Sequence, residues 1–347
     1  MKQGNWLVSA AALVILIYGM REAQAVVIPI LLAVFLSLVS ARPLFWLRRR
    51  GVPNALAVLM IVFGMLSILF LIGGLVGTSI AEFTSRVPYY QERLDEQLTA
   101  YLSRLELDDH IGSVTDLVEN IDPSAAMDLA VNLLNGLRGL LNYGFLIIFA
   151  VVFMLLEAGT LPEKLEAVAP STEAYRSVRR FTRSLNRYLG LKTAVSLVTG
   201  LIVFLWVTVM GLDFPLLWGL LAFLLNYIPN IGSIIAAVPA VLLALVQLGP
   251  GRALVIALGY IAINLLIGNL IEPRVMGQGL GLSTLVVFLS LIFWGWVLGP
   301  VGMLLSVPLT MTLVMALESR QATRRYAVIL SATRSRKSPS QGPKKSP

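Results

Sequence analysis

The chain has no cysteine and a single histidine among its 347 residues. Without cysteine there can be no disulfide, no thiol nucleophile and no zinc-thiolate site. The histidine, His110, stands beside Asp108 and Asp109 in a polar stretch. A transition metal needs about three or four converging ligands, so this stretch reads as a solvated turn, and no metal or other cofactor is expected. Charge is scarce as well: charged residues make up 13% of the sequence, against about 25% in soluble domains. A P-loop, a Gly-x-Gly-x-x-Gly fingerprint and a His-Glu-x-x-His helix are all missing, which leaves ATP-driven transport by this chain alone and zinc proteolysis without support. No nucleophile and base stand together, and no enzymatic activity is expected.

What fills the sequence is apolar. Hydrophobic residues are 57% of it and the mean hydropathy is +0.82, which predicts an all-α polytopic membrane protein. The first apolar run, 6–20, has no small-residue cleavage site after it and is followed almost at once by 23–41, so a retained helix is expected rather than a removed signal. Arg21 and Glu22 mark the turn between the two runs. Orientation follows from the basic residues. Arg42, Arg48, Arg49 and Arg50 form one cluster, Lys164 to Lys192 carries a second, and the segment after Glu318 holds eight more. All three are expected in the cytoplasm, with both termini, in the inner (cytoplasmic) membrane. Residues 81–140 hold four basic residues against eleven acids and belong on the far side. The net charge of +8 thus records topology, and no nucleic-acid partner is expected. The basic, Ser- and Pro-containing stretch 334–345 resembles a disordered segment lying on anionic lipid headgroups.

Two apolar stretches, 214–248 and 283–317, are each interrupted at the midpoint by proline and glycine. The breaks hold Tyr227, Pro229, Asn230 and Gly232 in the first, and Gly299, Pro300 and Gly302 in the second. The arms on either side reach roughly 22 to 24 Å at helical rise, short of a hydrocarbon core of about 30 Å. Two re-entrant or broken hairpins are therefore predicted, giving about eight membrane segments. Five full crossings would end on the same side, so charge parity leaves both topologies open. Under the hairpin reading, a crossing helix plus hairpin (194–248) precedes a second such unit (253–317) entered from the opposite face, an inverted repeat. Val238-Pro239 after the first break and Val307-Pro308 after the second support it. The predicted organisation is N-terminal transmembrane helices (1–80), an extracytoplasmic helical segment (81–140), a helix and basic cytoplasmic loop (141–193), a transport core (194–317) and a basic tail (318–347).

In the outer segment Phe83, Val87, Tyr90, Leu94, Leu98, Tyr101 and Leu105 recur at alternating threes and fours, a helical seam. A second seam runs Leu129, Leu133, Leu137, Leu140 after Asp122-Pro123, a cap followed by a first-turn proline. The two predict a helical hairpin that packs on itself or on another copy of the chain.

Polar groups at membrane depth are costly and point to function. Here they are Asn226, Tyr227 and Asn230 at the first break, and Asn264, Asn269, Glu272 and Arg274 along the helix between the hairpins. Glu272-Pro273-Arg274 predicts an extended turn in which the two charges pair or bind other groups. A structural ion pair and a coupling carboxylate both fit Glu272. The asparagine amides suit hydrogen-bond exchange with a hydroxyl-rich neutral solute, whereas an ion antiporter wants a titratable carboxylate. A third reading, a non-transporting scaffold, makes the asparagines interhelical glue, but half-helices at depth speak against it.

At these residues a family resemblance becomes specific. The runs NYIPNIGS (226–233), NLIEPRVMG (269–277), GLGLSTLVV (279–287) and GWVLGPVGM (295–303), with Tyr188-Leu189-Gly190, resemble the signature segments of the autoinducer-2 exporter (AI-2E) family of transporters. Ser233 stands where many relatives have Pro, and Ser283-Thr284 where many have His-Pro, departures that resemble the subgroup linked with export of the signal itself. The resemblance implies efflux of the quorum-sensing furanone or another small solute, sodium-proton antiport in some members, and a homo-oligomer.

Overall fold

The computed structural model describes residues 4–104, 131–132, 134–136, 139, 143–158, 173–229, 231–276, 282–318, 323 and 330. No β-strand occurs among them. The helices are α1 (Gly4–Glu22), α2 (Gln24–Arg49), α3 (Asn54–Arg104), α4 (Gly144–Ala158), α5 (Glu173–Met210), α6 (Pro215–Leu225), α7 (Gly232–Leu248), α8 (Pro250–Asn264), a π-helical turn (Leu265–Ile271), α9 (Glu272–Met276) and α10 (Thr284–Glu318). Helices are what this composition demands, because in hydrocarbon each backbone N–H and C=O must be satisfied within its own segment. The outer faces are correspondingly apolar: Phe63, Phe70, Phe145, Leu205 and Val209 are all exposed, as lipid-facing side chains require. By length and apolarity five helices suffice to cross a membrane, α10 among them, but α10 is not straight.

Both broken stretches fold back on themselves. Phe214 enters α6 at φ 58°, a strained left-handed conformation for an aromatic residue, and Pro215 begins the helix where its missing N–H is not needed. The chain breaks after Leu225 and resumes at Gly232. At the open end the Asp213 N–H donates to Gln247 Oε1 at 3.0 Å, and Gln247 Nε2 donates to the Gly211 carbonyl at 3.3 Å, so both arms start and finish at one level. Arms of 11 and 17 residues are about 16 and 25 Å long. In α10 the reversal is at Gly299, with φ 61° and ψ −151°. Trp294 Nε1 donates to Thr310 Oγ1 at 3.0 Å; on a straight helix those residues would be about 24 Å apart.

The two breaks share a steric device. A β-carbon on Gly232 would lie 1.8 Å from the Leu225 carbonyl oxygen, and one on Gly302 would lie 1.9 Å from that of Trp294. Each glycine lets the returning arm press on the last turn of the first. A similar close approach joins α5 to α6, where a β-carbon on Gly200 would stand 2.7 Å from the Gly219 carbonyl oxygen, and one on Gly219 would stand 2.9 Å from that of Gly200. Small residues at such crossings substitute packing for the hydrophobic drive that lipid removes.

Three apolar clusters fix these parts. The largest gathers Trp218, Leu217, Leu243 and Ile256 from the first hairpin and α8, and adds Val76, Phe83, Val87 and Tyr90 of α3. Phe83 meets Phe214 and Trp218 edge-on at 5.9 and 5.8 Å. The lower part of the outer seam is therefore packed within one chain. The side chains of Leu94, Leu98 and Tyr101, together with Leu105 and all four residues of the second seam, lie outside the described residues; Leu134, which is not part of that seam, is buried. A second cluster joins α2, α3 and α4 through Ala33, Leu44, Val58, Val151 and Leu155. The third sets Leu185, Tyr188 and Leu189 of α5 on Val307 and Met311 of α10.

Two features depart from the sequence reading. Residues 173–193, expected as loop, are the first part of α5, which continues unbroken to Met210. The expected extended turn at Pro273 is instead helical: α8, the π-turn and α9 run on without a break, and Pro273 falls directly after the π-turn. The second break lies beside the turn between α1 and α2. Gln24 Nε2 donates to the Val297 carbonyl at 2.6 Å and the Arg21 guanidinium lies 5.0 Å over the Trp296 ring. Gln24 thus satisfies one of the carbonyls freed at the helix end.

Candidate functional site: a polar stripe on α5 beneath the first hairpin

Along α5 the residues Tyr188, Lys192, Ser196 and Gly200 follow at intervals of four, which stacks them on one helix face. Tyr188, Lys192 and Ser196 are buried, as is Thr199 one turn on. Their partners come from two other parts of the chain. Asn226, at the end of α6, donates through Nδ2 to Ser196 Oγ at 2.9 Å. The Tyr227 hydroxyl donates to Thr193 Oγ1 at 2.7 Å, and Thr193 passes its own proton to the Leu189 carbonyl at 2.7 Å. The Tyr227 ring is held edge-on by Phe35 of α2 at 5.6 Å and by Phe223 at 5.8 Å. Lys192 Nζ stands 2.5 Å from Glu272 Oε1, the first residue of α9. One and a half turns of α5 therefore hold the tip of the first hairpin and the segment after the π-turn together.

The energetics of these links differ. Each neutral amide–hydroxyl or hydroxyl–hydroxyl bond contributes only about 0.5 to 1.5 kcal/mol net, and is readily exchanged for a bond to another hydroxyl. A buried ion pair resists exchange, because losing either partner leaves an uncompensated charge at about 3 to 5 kcal/mol.

On its other side the first tip borders an apolar cavity of about 200 Å³, lined by Pro229 and Ile231 of the break and by Val287, Phe288 and Leu291 of α10. The lining of this cavity is hydrocarbon, and the amide and hydroxyl of the tip, on Asn226 and Tyr227, are buried against α5.

The expected site residues fall into separate groups. Asn226, Tyr227, Pro229 and Gly232 share the first tip; Asn230 lies outside the described residues. Asn264 is half-buried, its Oδ1 3.1 Å from where a β-carbon on Gly268 would sit, so its amide lies over the π-turn rather than at the tip. Asn269 is exposed, and neither amide makes a side-chain hydrogen bond among the described residues. Gly299, Pro300 and Gly302 form the second break, next to the α1–α2 turn. Glu272 pairs with Lys192 and not with Arg274, which is exposed. Lys192, Thr193 and Ser196 escaped the sequence reading because Lys192 was counted with the cytoplasmic basic cluster. The four-residue spacing Tyr188, Lys192, Ser196 in an otherwise apolar run was the signal that could have found them. Among the described residues no group of acids and histidine is placed to hold a metal.

The comparisons with known proteins agree with the helical layout. Residues 10–321 match the AI-2E family transporter description. The AI-2 transport protein TqsA of Escherichia coli K12 is 43% identical over 323 residues, covering 92% of this chain and 93% of that protein. A Haemophilus influenzae protein is 42% identical over 332 residues, covering 93% and 95%, and YhhT of E. coli K12 is 36% identical over 325, covering 93% of each. A match over nearly the whole length, on a chain of apolar helices with two folded-back hairpins, means that this protein belongs to the AI-2E family of membrane transporters.

Proposed function

We propose that the chain exports autoinducer-2, a small hydroxyl-rich solute, from the cytoplasm across the inner membrane, and that the solute passes the tip of the first hairpin. The observation that carries this reading is the set of exchangeable bonds Asn226–Ser196 and Tyr227–Thr193 at that tip, next to the cavity of about 200 Å³. Solute hydroxyls can replace these partners one for one, and the apolar flank takes the solute's carbon face. The similarity to TqsA gives the solute its identity. The basic clusters at 42–50 and after Glu318 support an orientation with both termini in the cytoplasm. In that orientation the first hairpin enters from outside and the second from inside, as an inverted repeat requires.

The test is flux of autoinducer-2 in sealed proteoliposomes loaded on one side. Concentration-dependent, saturable movement that Asn226→Ala weakens is the expected result. Vesicles with the inserted, folded chain that release autoinducer-2 no faster than empty lipid refute the reading.

A further inference from the structure

Between residues 214 and 317 the chain has one acidic residue, Glu272. Asp213 stands just outside that range at the open end of the first hairpin, 40% exposed and 3.8 Å from Arg86. A carboxylate at membrane depth is the side chain that can give up one cation and take another, and so couple transport to protons or sodium. Glu272 is the residue available for that, and its place is already taken: the Lys192 ammonium lies 2.5 Å away, with side-chain exposures of 5% for Lys192 and 18% for Glu272. Removing either partner leaves the other charge uncompensated and is strongly destabilising. The other titratable group of α5 that faces Glu272 is Tyr188; the π-turn, Leu265–Ile271, contributes no titratable side chain, and Arg274 of α9 is exposed.

We infer that Lys192 is a built-in counter-cation that stands in for a coupling ion, so that the chain moves a neutral solute down the solute's own gradient without proton or sodium coupling. The position of the lysine fits this role. Thr193 and Ser196, which hold the hairpin tip, sit on the same stretch of α5, so the neutralised carboxylate anchors the helix turn against which the tip opens. A tethered ammonium keeps that turn neutral in every conformation, whereas a diffusible cation would have to bind and leave once per cycle. The inference rests on the solute reading above.

The experiment uses the full chain in proteoliposomes, with autoinducer-2 counterflow measured at equal pH without sodium, with an imposed proton gradient, and with an imposed sodium gradient. Wild type is expected to run at the same rate in all three. Lys192→Met exposes the carboxylate to competition, and its flux should rise as pH falls or sodium is added, by up to about tenfold per pH unit, the slope of one titrating group. Lys192→Met combined with Glu272→Gln should lose that dependence. Lys192→Arg, which keeps the charge and guards against a folding defect in the methionine variant, should remain independent of both ions. Wild-type flux that requires either gradient overturns the inference while leaving the solute reading intact, and so does an active Lys192→Met variant indifferent to pH and sodium. Wild-type vesicles that carry no autoinducer-2 under any condition overturn the solute reading and the inference with it.

Discussion

Asn226 and Ser196 show how a buried polar pair can be both structural and exchangeable. Ser196 is fully buried and Asn226 nearly so, so removing either partner leaves the other with no water to turn to, at about 1 to 3 kcal/mol. If solute hydroxyls use the same groups, Asn226→Ala and Ser196→Ala should each weaken apparent affinity for autoinducer-2 by about fivefold to a hundredfold. The double variant should be little worse than either single one, because both delete one bond; a coupling of about 0.5 kcal/mol or more in the double-mutant cycle is expected. Strict additivity in the concentration dependence of flux would mean that the two residues act separately. Lys192 belongs to a different class. Its charge is locked to Glu272 at 2.5 Å, and its part in the site comes from holding that carboxylate neutral, not from offering a bond to solute.

The glycines of the hairpins carry the sharpest mechanical statement. Gly232→Ala and Gly302→Ala would place a methyl group within 2 Å of a carbonyl oxygen, and backbone cannot swing aside as a side chain can. Either substitution should therefore open its hairpin and lower the thermal midpoint in detergent. Gly73→Ala, in the middle of α3 with nothing within 4 Å, should be neutral or stabilising by up to about 1 kcal/mol, because alanine gives up less entropy in a helix. Equal midpoints for Gly232→Ala and Gly73→Ala would show that the first tip is looser than its geometry. These breaks were legible in the sequence because proline and glycine interrupt an apolar run whatever the tertiary context. The closure of the hairpins was less so: it depends on Gln247 reaching Asp213 and on Trp294 reaching Thr310, pairings between residues 34 and 16 positions apart. The π-turn had no local mark, and it lies directly before Glu272 and Pro273, the first of which pairs with Lys192. The asparagines were recognisable as polar groups in apolar helices, but their grouping was not, since Asn226 faces α5 while Asn269 faces outward.

Across the whole molecule, α2 supplies a ruler against which both hairpins can be read. Gln24 at its start bonds Val297 beside the second break, and Phe35, eleven residues on, packs against Tyr227 at the first tip. Eleven residues of helix are about 16 Å, so the two tips stand at different depths, the second near the α1–α2 turn and the first well inside. Because the chain has no cysteine, single cysteines report this directly with no background. Glu22→Cys and Pro300→Cys, both at exposed positions, should be labelled by an impermeant maleimide from the outside of intact cells, and Glu318→Cys only after permeabilisation. Ser233→Cys, half-buried beside the first tip, avoids the clash that Gly232→Cys would create. It should resist the impermeant reagent from outside, react with a small permeant thiosulfonate, and be protected by autoinducer-2, since the solute and the reagent would compete for the same water-filled approach. Labelling of Pro300→Cys from the same side as Glu318→Cys would reverse the second hairpin and break the inverted repeat. Full reactivity of Ser233→Cys that autoinducer-2 leaves unchanged would separate the first tip from the solute path.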